Sequence, residues 1–136
     1  MEAEQLIKPS EKRLAENLEK LGEKLKSWEG KDIKEIGEEI KETIESGKSA
    51  YSETKDAVYL LVFFVLQTML ALIISRGLFS EVMFKKTFEY PKESMVGLGG
   101  MLMTLGKAIR ENREKTLDIL LATLLYGHEH DLLLSP

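Results

Sequence analysis

The residues of this chain best equipped for chemistry stand together near its end: His128, Glu129, His130 and Asp131. Imidazole and carboxylate are the ligand types of a transition-metal site, and a nucleophile-base pair would have to draw on the same two histidines, the only ones present. Their spacing builds neither. On a helix His128 and Asp131 share a face while His130 points elsewhere, and the HExxH pattern of a zinc helix is absent. On an extended segment the two histidines share a face but lack a third ligand. The expectation is a polar helix terminus, where histidines suit the negative end of the helix dipole, with no metal, no cofactor and no catalytic residue.

Other chemical patterns lead the same way. Gly97-Leu98-Gly99-Gly100 could cradle a phosphate, but the Lys-Ser/Thr of a P-loop does not follow and no clear strand precedes it. The run Lys107 to Lys115 looks basic, yet Lys107 with Glu111, Arg110 with Glu114 and Glu111 with Lys115 stand four apart, the spacing of neutralised pairs on a solvated helix face. A net charge of −4 argues against binding nucleic acid through phosphate neutralisation. All of that charge falls in residues 1–56, which hold 11 basic and 15 acidic side chains. Without cysteine there is no disulfide, no thiolate nucleophile and no cysteine metal site. Carboxylates are plentiful, but on regularly charged faces rather than in an indicated pocket, so an enzyme is not expected.

The elements that would position these residues are legible from hydrophobic spacing. At 136 residues, 43% hydrophobic and 31% charged, the chain reads as one domain with a real core and a charged exterior. Its dominant stretch is 57 to 75, AVYLLVFFVLQTMLALIIS, uncharged over 19 residues. A helix there is apolar on nearly every face and needs either a surrounding bundle or a bilayer, which at about 28 Å it just spans.

Before it, Leu14, Leu18, Leu21, Leu25 and Trp28 are spaced 4, 3, 4, 3 behind an N-cap at Ser10, and Ile33, Ile36, Ile40 and Ile44 form a second seam after a break at Gly30. Together, 10–48 predicts a charged αα-hairpin, with a joint at 45–49 and a new cap at Ser49 or Ser52. The apolar helix is expected over 52–76, ended by Arg76-Gly77, and 77–91 reads as a connector. Over 92–134 two further helices are expected. The first carries small residues Gly100, Thr104 and Ala108 at every fourth position, a face for close approach by the 57–75 helix. The second carries Leu117, Leu120, Leu121, Leu124 and Leu125 on one broad stripe and runs into the apolar tail Leu132-Leu133-Leu134. The first residues have neither the basic start nor the apolar run of a secretory signal.

Four or five helices in this order, opening with an αα-hairpin, resemble in layout the four-helix bundles used as adhesion and docking modules, such as the focal-adhesion-targeting domain. The excess of Glu (19) and Lys (15) in a short chain also resembles small helical proteins of viruses that infect hyperthermophilic archaea. Both resemblances imply a structural or protein-binding role.

The expectation is thus an all-α antiparallel bundle of four to five helices around an almost wholly apolar central helix, with Leu66 at its middle and Leu120 and Leu124 packing from the last helix. The partners expected are a protein or a second copy in a homodimer, in the cytoplasm (the host's, if viral). The alternative is a single-pass membrane protein anchored by 57–75.

Overall fold

The computed structural model describes residues 7–27, 33–84 and 92–129; side chains are left out at 33, 34, 70, 72–84 and 92–94. The described residues are all helical: α1 (Pro9–Lys26), α2 (Ile33–Thr54), α3 (Ala57–Phe84), α4 (Lys92–Glu111), a 3₁₀ turn (Arg113–Lys115) and α5 (Thr116–Glu129). Trp28, the connector 85–91, His130, Asp131 and the leucine tail lie outside them.

α1 starts one residue before Ser10, with Pro9 in its first turn, where the missing N–H costs nothing and the fixed φ suits a helix. Glu11 reaches back to accept from the Lys8 backbone N–H at 2.9 Å. Ser10 instead donates its hydroxyl to Glu53, across to the end of α2. Leu14, Leu18, Leu21 and Leu25 are fully buried, as are Ala15 and Gly22 beside them.

α2 lies along one side of α1 and runs the opposite way. Lys24 meets Glu35 (2.5 Å), Asn17 donates to Ser46 (3.2 Å) and Ser10 meets Glu53, so one chain number rises as the other falls. Ile36, Ile40 and Ile44 are buried in this contact; Ile33 begins the helix. The joint expected at 45–49 is absent, because α2 continues through it to Thr54. Gly47 sits under Leu14, and Ser46, fully buried, donates to the Thr43 carbonyl at 2.7 Å, so tertiary packing outweighs the local breaking tendency. The chain turns instead at Lys55, which takes φ 60°, and Asp56 caps α3 by accepting from Val58 N–H at 3.0 Å. α3 likewise continues through Gly77 to Phe84: one glycine lowers helix stability by about 1 kcal/mol and does not by itself end a helix of this length.

On its other side α1 meets α4 in the most intimate helix contact of the molecule, again in opposite directions. A Cβ at Gly99 would come within 2.5 Å of the Gly22 carbonyl oxygen, and one at Gly106 within 2.6 Å of the Ala15 carbonyl oxygen. Ala15 and Gly22 are seven residues apart, as are Gly99 and Gly106, so two small-residue seams at heptad spacing let the backbones touch. Arg110 closes the contact by donating to Glu19 at 3.0 Å.

This corrects two expectations. The close-approach face of α4 is Gly99 and Gly106, toward α1, and not Gly100, Thr104 and Ala108 toward α3. Gly100 faces open space, Thr104 is exposed, and of the three only Ala108 is buried. Among the described residues α3 rests mainly on α2 and touches α5 less, as α1 rests on α2 and α4, so the other helices do not surround α3. A narrow leucine stripe with small flanking residues fits between two neighbours, whereas the bulky 57–75 segment leaves no room for close approach on several sides.

Candidate functional site

α3 has almost no amphipathicity to say which side faces in, so a polar anchor sets its rotation. Tyr59, in its first turn, is buried and donates its hydroxyl to the Glu11 carboxylate, itself only 1% exposed. From there Tyr59, Val62, Leu66 and Met69, spaced 3, 4, 3, point into the core with Val65 beside them. Arg113, in the 3₁₀ turn, reaches the same Glu11 (3.5 Å) and Asp56 (3.3 Å), so one cluster ties the starts of α1 and α3 to the link between α4 and α5. Burial, and then the Glu11 carboxylate, push the Tyr59 hydroxyl well above the ordinary tyrosine pKa, because ionising it would place a second anion in an apolar setting.

With that register fixed, Leu60, Leu61 and Phe64 face outward, Phe64 at 58% exposure. α5 shows the same inversion more plainly. Its inward positions are Thr116, Leu120, Thr123 and Gly127, while Leu117, Leu121 and Leu125 stand outside at 45, 53 and 60% exposure. Apart from Leu120, the fully buried positions of this helix are small or polar, and three large leucines lie over it. Gly97 of α4 leaves the space that the Tyr126 ring fills, which draws α5 close, and Leu124 is half-buried against the core. The Thr116 hydroxyl is buried without a hydrogen-bond partner among the described residues.

Of the four residues singled out for chemistry, His128 and Glu129 lie among the described residues. His128 is exposed in the last turn of α5, and no group of three metal-ligating side chains occurs among the described residues. The buried Glu39 lies 3.8 and 3.7 Å from Lys20 and Lys24, a salt link between α1 and α2. A shallow recess lined by Pro9, Ser10, Arg13, Ser49, Ser52 and Glu53 is crossed by the Ser10–Glu53 bond. Among the described residues no helix is long and apolar enough to cross a membrane.

What remains is the outward apolar surface of α3 and α5. Monomers rarely leave large apolar side chains exposed in rows, and an exposed row marks a contact surface more often than an exposed single residue does. Sequence spacing did not single it out, since Leu117, Leu121 and Leu125 belong to the same broad stripe as Leu120 and Leu124. The available signal was the seam Thr116, Leu120, Thr123, Gly127, spaced 4, 3, 4 and narrow enough to face a neighbour.

No protein-family model, curated protein or solved structure matches this chain.

Proposed function

We propose that this protein is a non-catalytic helical interaction module that self-associates through the outward faces of α3 and α5. The observation that carries the reading is the set of six large apolar side chains that stand outside among the described residues: Leu60, Leu61, Phe64, Leu117, Leu121 and Leu125. Between Ala57 and Ala71 the face of α3 carries no charge, and α5 has none between Asp118 and His128. Burial of such side chains drives association, and the Glu- and Lys-rich helices around them limit contacts elsewhere. A second copy in the cytoplasm is the simplest partner, because one surface then covers its own twin.

The test is light scattering over a concentration series with and without the pair Phe64→Asp and Leu121→Asp. Dimerisation of the wild type near 31 kDa, about twice the 15.5 kDa chain, and a monomeric but still helical variant are the expected results. A wild type monomeric at every concentration would refute the reading. Recovery only from membranes, with detergent, would replace it with a membrane-bound role.

A further inference from the structure

The link between α4 and α5 is built from residues that favour the structure it interrupts. Asn112 and Thr116 are weaker helix formers, but Glu111, Arg113, Glu114 and Lys115 are good ones, neither glycine nor proline occurs from Lys107 to Tyr126, and the pairs Arg110–Glu114 and Glu111–Lys115 stand at the spacing that supports a continuous helix. Yet the helix breaks at Asn112, with φ −154° and ψ 79°, and resumes through the 3₁₀ turn. Local preference and tertiary structure conflict at this joint, and such a conflict marks a place where two arrangements of one sequence lie close in free energy.

The tertiary contacts that hold the break are identifiable. Arg110 turns away to Glu19, and Arg113 bonds Asp56 and pairs with the buried Glu11. Beyond the joint, the inward side of α5 is Thr116, Leu120, Thr123 and Gly127, with a single large apolar side chain fully buried and one buried hydroxyl unpartnered. The seat is complementary in shape, through Gly97 and Tyr126, while Ile119, Leu124 and Tyr126 pack against the core only in part.

From this we infer that α4 and α5 straighten into one helix over 92–129, about 57 Å long, and that the released α5 takes the α5 seat of a second copy. The seat fits α5 by construction, so the exchange preserves the contacts of Thr116, Leu120, Thr123 and Gly127 while the joint relaxes to its preferred helix. Arg113 is the latch: its pairs with Glu11 and Asp56 exist only while the chain is bent. This inference rests on the self-association proposed above and gives it a route.

Because the chain has no cysteine, Thr104→Cys and Glu129→Cys, both at exposed positions, can carry a pair of spin labels. Doubly labelled chain diluted into an excess of unlabelled chain reports the distance within one polypeptide. In the bent form, with Gly97 against Tyr126, the labelled positions are about 20 Å apart; in a continuous helix they are about 37 Å apart along the axis. A long distance in the dimer fraction and a short one in the monomer fraction are expected. A dimer whose labels keep the short distance overturns the exchange and leaves face-to-face association standing, whereas absence of any dimer overturns both.

Two latch variants sharpen the result. Arg113→Ala and Arg113→Pro both remove the latch, but proline there also forbids a helix passing through the joint. Arg113→Ala should raise the long-distance dimer several-fold over wild type, and Arg113→Pro should abolish it. Equal populations in the two variants would overturn the straightening. The label distance in the wild type needs neither variant, so it decides the matter if one of them fails to fold.

Discussion

The two sides of α4 use small residues to opposite ends. Toward α1, Gly99 and Gly106 meet Ala15 and Gly22 so closely that backbone approaches backbone, and the leucines of α1 are sealed beside them. Toward α5, Thr116, Thr123 and Gly127 also allow approach, but there Leu120 alone of the leucines is fully buried, and Leu117, Leu121 and Leu125 point away and stay exposed. A small-residue seam therefore has two consequences, depending on where the large residues beside it fall. When they flank the seam they complete a core; when they lie across the helix from it they leave a surface that needs another partner.

The contrast is tested most strongly by truncating one leucine on each side. Leu18→Ala, at a fully buried site between α2 and α4, should cost about 2–5 kcal/mol in denaturant unfolding, whereas Leu121→Ala should change monomer stability by only about 0.5 kcal/mol and act on self-association instead. Equal losses would show that α5 is packed as tightly as α1.

Adjacent glycines of α4 provide a second test, in which the sign differs. Gly99→Ala forces a methyl group against the Gly22 carbonyl and should destabilise by about 1–3 kcal/mol, while Gly100→Ala meets open space and should stabilise by up to about 1 kcal/mol through helix propensity. Thermal unfolding of the two variants side by side checks whether the seam runs through Gly99.

Tyr59→Phe probes the anchor that turns the outward face of α3 to the surface. Leaving the buried Glu11 with one donor fewer should cost about 1–3 kcal/mol at neutral pH. The pH dependence follows from the raised Tyr59 pKa. The folded state favours the protonated hydroxyl, so its contribution is complete below the unfolded tyrosine value of about 10 and is lost as pH rises above it toward the folded value. Urea midpoints of the wild type should fall more steeply above about pH 10 than those of Tyr59→Phe, and parallel curves would remove Tyr59 from the anchor.

The smallest expected effect lies at the turn into α3. Lys55 holds a left-handed backbone that glycine adopts without strain, so Lys55→Gly should raise stability by about 1 kcal/mol in the same urea measurement. A loss would mean that contacts of the lysine side chain, which lies 5.9 Å from the Tyr51 ring, outweigh the backbone term.

Much of the fold was legible because its signals are local. The 4, 3, 4 spacing from Leu14 to Leu25, the isoleucine seam of α2 and the helices after Pro91 follow from periodicity and charge alone. Where the reading failed, tertiary contact overrode local preference: α2 passes through Gly47 because Leu14 covers it, and the turn falls at Lys55, which carries no turn signal. The apolar character of 57–75 was plain, but hydropathy ranks a helix without saying where it sits. The closest approach falls instead between α1 and α4, where small residues on both helices meet. The outward face was the least legible feature, since between Ala57 and Ser75 the polar signals are few: Gln67, which is exposed beside Phe64, Thr68, and a tyrosine whose partner, Glu11, lies 48 residues away. Trp28, His130 and Asp131, all singled out in the sequence, lie outside the described residues.

The most direct test of the outward face is a methyl NMR concentration series on leucine-labelled protein. With rising concentration, the resonances of Leu60, Leu61, Leu117, Leu121 and Leu125 should shift or broaden together while those of Leu14, Leu18, Leu21 and Leu25 stay in place. Spectra independent of concentration, or changes confined to leucines outside α3 and α5, would contradict the assignment of this surface as the place where the protein meets its partner.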